Sequence, residues 1–272
     1  MIVAPGRLSW LFVGVVFAAF PAYGGIVDFT EWDKIVDPFD ANFSGSVDTA
    51  SQITLSASGG PVPHATDIGY ISVDGNTAAS STSGYAFDPA ADFSVAVDFT
   101  LSLDSAVGGL GIGFGIGEDR DGANSAGVAL LTTNGFALAP FTAVARVNDV
   151  NQPLDTVLAA QTSGRLIVSY TAAGGDVQVG VSTDGDEVPE GISTFAGIQN
   201  SWNDELLIPS FFMRSDGTLG SAWTSGTAEA VFSDFHVIEG TPVVLPVTIP
   251  EPSSLCLLGF AMPILLYRRF RA

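Results

Sequence analysis

Residues 93–103 read Phe93-Ser94-Val95-Ala96-Val97-Asp98-Phe99-Thr100-Leu101-Ser102-Leu103 and alternate with period two over eleven positions. That period puts successive side chains on opposite faces of a β-strand, so the large apolar groups share one side. Residues 110–117, Leu110-Gly111-Ile112-Gly113-Phe114-Gly115-Ile116-Gly117, repeat the pattern with glycine at every second place. Ser105 to Gly109 lies between the two runs and predicts a turn joining them as a hairpin. The glycine face of the second run reads either as a flat groove floor or as a surface that admits a close-packed neighbour.

Outward from this pair, the same reading predicts strands at Ile53–Ala57, Ile68–Val73, Gly127–Thr133, Phe141–Val147, Arg165–Thr171, Val177–Thr183, Leu206–Arg214 and Ala228–Ile238. Gly174-Gly175 joins two of them as a hairpin. Strands recurring between Gly, Asp, Asn and Ser turns are the pattern of an all-β sandwich or barrel. Beyond the two termini, the helical candidates reduce to a turn or two near Ile192 to Trp202. One domain is expected over residues 25–239, followed by an extended linker over 240–249 that carries Pro242 and Pro246.

The ends read differently from the body. Residues 1–24 combine Arg7, the apolar run Leu8 to Phe20, and small residues at Ala22 and Gly24, as a secretory signal peptide does. Residues 250–272 open with Pro250-Glu251-Pro252, continue through an apolar run from Ser253 to Tyr267, and close with Arg268, Arg269 and Arg271. Arginines directly after an apolar segment stay on the cytoplasmic side. Fifteen helical residues cover about 22 Å, short of a hydrocarbon core of roughly 30 Å, so the span is marginal as a permanent anchor. Two readings stay open for it, a tail anchor and a segment presented for processing.

Composition supports export. The single cysteine, Cys256, lies in the C-terminal tail, so the body forms no internal disulfide and depends on its core. Of nine basic residues four are terminal, which leaves Lys34, Arg120, Arg146, Arg165 and Arg214; of 29 acidic residues only Glu251 lies outside the body. Five against 28 gives the body a formal charge of −23. That charge argues against a nucleic-acid partner, whose phosphates it repels, and suits solubility, divalent cations or a saline setting.

The tripeptide, the apolar run and the arginines, in that order, resemble the PEP-CTERM sorting signal of Gram-negative bacteria. The resemblance implies that the chain is an exosortase substrate, held in the inner membrane before processing and then placed at the cell surface or in the extracellular matrix. The motif residues are Pro250, Glu251, Pro252, Arg268, Arg269 and Arg271. The body, through its glycine-rich strands, the segment Gly117 to Asn124 and the closing Phe232-Ser233-Asp234-Phe235-His236-Val237, is similar to concanavalin A-like (laminin-G-like) domains. This implies an antiparallel jelly-roll sandwich between an N-terminal signal helix and a C-terminal membrane-sorting helix, with Ile26 to Phe29 beside Ala228 to Ile238. Members of that superfamily bind glycans, hold calcium or hydrolyse glucans.

Three site readings follow. Glucan hydrolases of the superfamily carry Glu-x-Asp-x-x-Glu on one strand, which sets acid and nucleophile a few ångströms apart. The nearest sets here, Glu118 with Asp119 and Asp121, and Asp184 with Asp186, Glu187 and Glu190, fall among turn residues. His64 and His236 have no nucleophile elbow and no zinc partners nearby. The body therefore reads as non-enzymatic, with a divergent glycoside hydrolase-like enzyme of the same fold as the alternative. Calcium is the candidate cofactor, because Asp119, Asp121 and Asn124 offer oxygens within six residues and Gly122 permits a bend. Trp202, Trp223 and Tyr85, flanked by polar residues, are the candidates for stacking on a glycan or exopolysaccharide, with packing in or at the rim of the core as the other role open to them, since large aromatics dominate β cores.

Overall fold

A computed structural model describes residues 29–37, 40–132, 138–158 and 160–245. The expected signal peptide, the expected sorting motif and the two helices expected with them lie outside the described residues. In chain order the strands are β1 (Asp33–Asp37), β2 (Phe43–Thr49), β3 (Gln52–Ser58), β4 (Asp67–Ile71), β5 (Tyr85–Ala86), β6 (Phe93–Val107), β7 (Leu110–Gly117), β8 (Ser125–Thr132) and β9 (Leu138–Val147). The rest are β10 (Val150–Asn151), β11 (Asp155–Leu158), β12 (Ser163–Thr171), β13 (Asp176–Ser182), β14 (Gly191–Phe195), β15 (Ile208–Ser215), β16 (Ser225–Glu239) and β17 (Val243–Val244). Short 3-10 turns at Phe29–Glu31, Ala78–Ser80 and Ile198–Ser201 are the helical elements among the described residues.

The strands form two antiparallel sheets. The front sheet runs β1-β4-β15-β7-β8-β9-β10, with β11 also paired to β9. The back sheet runs β14-β13-β12-β6-β16-β3-β2. This is the all-β jelly-roll sandwich expected from the sequence. The inward row of β7, Leu110, Ile112, Phe114 and Ile116, is at most 3% exposed and faces Val95, Val97, Phe99 and Leu101 of β6 in one core. Burying one such side chain contributes about 1.5–3 kcal/mol. At one end of the core Trp32 stacks on Phe211 with ring centres 4.9 Å apart, and Phe211 stacks on Phe232 at 4.6 Å.

The expected hairpin between residues 93–103 and 110–117 does not form. β6 pairs with β12 and β16, whereas β7 pairs with β8 and β15. The chain crosses from one sheet to the other at Gly108 and Gly109, so the two alternating runs line the same core from opposite sheets. Gly108 has φ +94, and a Cβ there would lie 2.2 Å from the carbonyl oxygen of Ala222. Only glycine fits this crossing. The hairpin expected at Gly174-Gly175 does form, between β12 and β13, with Gly175 at φ +69.

Two further expectations change. Phe29 sits in a 3-10 turn rather than a strand, although its ring lies 6.5 Å from that of Phe235 on β16. The start of the expected linker is docked: Val243 and Val244 pair with Ala86 and Tyr85, and Leu245 is buried beside Ile71, Val73 and Ile208.

Candidate functional site

Opposite the core, the outer face of the front sheet forms a groove of about 330 Å³ that runs across the strands from Ile35 on β1 to Asn151 on β10. Seven neighbouring strands at about 4.8 Å spacing make it roughly 29 Å long. Strand register explains its floor. Ile35, Gly69, Phe212, Gly113, Ala129 and Thr142 lie side by side on six strands. The next row holds Ser210, Gly115, Gly127 and Val144. Gly115 and Gly127 face each other so closely that a Cβ on Gly115 would lie 2.7 Å from the Ala126 carbonyl oxygen. The floor is thus backbone, low and flat.

One large side chain stands on it. Phe211 points into the core, so its neighbour Phe212 must project from the other face. The Phe212 ring is half-buried and lies over Gly113, where a Cβ would sit 2.8 Å from its Cζ. Phe212 is paired with Gly69 on one side and Gly113 on the other, neither of which carries a side chain that would crowd the ring.

Two banks flank the floor, about 20 Å apart along β7. One is the turn Glu118 to Asn124. Glu118, 1% exposed, accepts hydrogen bonds from the backbone N–H groups of Asn203 and Glu205 and from Asn124 Nδ2. Arg146 of β9 donates to the carbonyls of Asp121 and Gly122 and pairs with Asp149 at 2.9 Å. Arg120 pairs with Asp33 of β1. The other bank gathers His64, Asp67, Arg214 and Asp216. Arg214 faces Asp67 at 3.4 Å. Asp216 accepts from the Thr218 N–H, and a Cβ on Gly111 would lie 3.9 Å from its Oδ2. His64 Nδ1 accepts from the Gly217 N–H at 2.9 Å, so the neutral ring carries its proton on Nε2.

The stacking candidates named from the sequence are not on this surface. Trp202, Trp223 and Tyr85 are 8%, 1% and 2% exposed. Trp223 Nε1 donates to the Gly59 carbonyl and Trp202 Nε1 to that of Arg146, so both indoles are core groups with satisfied N–H tips. Tyr85 packs edge-on against Trp32 and Phe87, and burial pushes its phenol well above the usual range. The aromatic that does face the groove, Phe212, was legible in principle. Two adjacent phenylalanines on one strand cannot both face the core.

Nor does the calcium trio converge. Asn124 is 1% exposed, and its Oδ1 accepts from the Asn148 N–H while its Nδ2 serves Glu118. Asp119 Oδ1 accepts from Ala123 N–H and closes the turn. Among the described residues no group of three or more His, Cys, Asp or Glu is placed to hold a metal ion. The second acidic set closes its own loop: Asp184 and Asp186 both accept from Ser182 Oγ, and Glu190 accepts from the Thr183 N–H.

No protein-family model and no curated protein matches the sequence. Several solved structures are similar to it. An alginate lyase from Pseudomonas aeruginosa is similar at 13% identity and TM-score 0.45, over 78% of this chain and 100% of the other. A family 16 glycoside hydrolase from a mixed-linkage glucan locus of Bacteroides ovatus is similar at 11% identity and TM-score 0.46, over 78% and 96%. Lectin I-B4 from Griffonia simplicifolia is similar at 11% identity and TM-score 0.41, over 76% and 93%. Alginate lyases and a glycoside hydrolase stand among these similar structures, and the expectation of a non-enzymatic body is withdrawn. That reading rested on one missing carboxylate motif and one missing nucleophile elbow, and a shared fold hosts many chemistries.

Proposed function

We propose that the protein is an exported carbohydrate-active protein that holds a polysaccharide in the groove of the front sheet. The observation that carries this reading is the half-buried Phe212 ring packed over Gly113 on the outer face of the front sheet. Sugar rings present an apolar C–H face that stacks on an aromatic plane, while their hydroxyls reach the polar groups on either bank. A long, shallow floor suits a polymer better than a compact metabolite.

Catalysis belongs to the bank that holds His64, Asp67 and Asp216. Asp119 and Asp121 stand across the floor, and that distance exceeds the roughly 5–9.5 Å that separates paired carboxylates in glycoside hydrolysis. The His64 bank places two carboxylates and an imidazole of fixed tautomer beside the substrate path. Release of new reducing ends from polysaccharides tests this. Asp216→Asn is expected to lower release about 100-fold or more. Undiminished release by the variant would remove the assignment, and a bound polysaccharide left uncut by the unaltered protein would remove catalysis altogether.

Residues 1–24 and 250–272 support delivery to the cell surface or extracellular matrix through exosortase processing. Mass spectrometry of the surface-located product tests this part separately. A product that retains Arg271 would count against removal of the tail.

A further inference from the structure

We propose that the polysaccharide held in this groove is uncharged, an inference that rests on the groove being a glycan site. Three of the five basic residues of the body, Arg120, Arg146 and Arg214, line it, which at first sight suits an acidic sugar. The structure shows each guanidinium already facing a carboxylate: Asp33, Asp149 and Asp67 in turn. Four aspartates, Asp67, Asp119, Asp121 and Asp216, line the same groove, so three positive charges meet four negative ones. No cationic track remains for a polyanion to follow.

The rest of the molecule acts in the same direction. A body of −23 repels a uronate or sulfated chain as it approaches, over a screening length of about 8 Å at physiological salt and about 30 Å at 0.01 M. A carboxylated polymer would have to break the three ion pairs and come close to the four aspartates. Each like-charge contact made there is repulsive, and more so beside the protein surface than in bulk water. A hydroxyl, in contrast, both donates and accepts. Alternating guanidinium and carboxylate groups on the banks serve both roles, and the Phe212 ring needs no charge on the sugar face it covers. The groove therefore selects glucan-, mannan- or xylan-like chains over alginate- or pectin-like ones.

The test is native electrophoresis of the purified full chain through gels that contain single polysaccharides. Neutral probes are mixed-linkage β-glucan, xyloglucan, xylan and galactomannan; acidic probes are alginate and polygalacturonate. Each is run at low and at physiological salt, for the unaltered protein and for Phe212→Ala, whose folding is checked by thermal melting. The expected result is retardation by at least one neutral polymer, insensitive to salt and weakened about tenfold in Phe212→Ala, with free migration in both acidic gels. Retardation by alginate or polygalacturonate that Phe212→Ala abolishes would overturn the uncharged assignment and leave the groove standing. Retardation by none of the polymers, or retardation that Phe212→Ala leaves unchanged, would overturn the groove reading and this inference with it.

Discussion

The outer faces of the two sheets both carry strand glycines, and the chain treats them differently. On the back sheet, Gly180 of β13 lies under the loop between β13 and β14. A Cβ on Gly180 would lie 2.7 Å from Pro189 Cβ, so that glycine makes room for the protein's own proline. Nearby, Glu187 of the same loop reaches His236 of β16 at 3.6 Å, and Arg165 ties Asp98 to the sheet at 2.7 Å. On the front sheet, Gly115 and Gly127 line the open groove, and Gly113 lies beneath the Phe212 ring. The same residue type thus serves self-packing on one face and a vacant concavity on the other. A glycine alternation in a strand does not reveal which.

Substitutions can break this comparison. The largest effect belongs to neither outer face but to the core that both sheets share. Phe114→Ala removes a fully buried ring from the inward face of β7 and is expected to cost about 3–5 kcal/mol in urea unfolding. A cost below about 1 kcal/mol would mean that the two sheets do not pack through β7.

Next come two identical changes on opposite faces. Gly115→Ala drives a methyl group into the backbone of β8 and is expected to cost about 1–3 kcal/mol. Gly180→Ala drives its methyl group into the Pro189 ring, 2.7 Å away, and to 3.0 Å from the Gly191 carbonyl oxygen, and is likewise expected to cost about 1–3 kcal/mol. A melting temperature that either substitution leaves unchanged would contradict the close approach of β8 to Gly115 or of Pro189 to Gly180.

How much of this was legible in the residues depends on which neighbour decides each feature. The alternation at residues 93–103 and 110–117 revealed two half-apolar strands, because that property belongs to each strand alone. It did not reveal that β6 and β7 occupy different sheets. Their partners, β16 and β15, come from more than ninety residues later in the chain, and a short Gly-containing connection fits a hairpin and a crossing alike. The groove floor was one of two open readings for the glycine face, and only strand register across six neighbours distinguishes them. The tryptophans misled for a related reason. Polar neighbours suggested exposed loops, yet Trp223 closes the core beneath the loop that carries Gly59, a contact set by tertiary structure. The clearest unused signal was Phe211-Phe212, where strand geometry alone places one ring outward.

The central claim is that the front-sheet groove, and not the back sheet, receives a polysaccharide. Carbene footprinting of side chains with and without a bound neutral oligosaccharide tests it most directly. Labelling of Phe212 is expected to fall on binding while the exposed Val188 and Ile192 on the back-sheet side keep theirs. Protection of Val188 and Ile192 with Phe212 still fully labelled would contradict it.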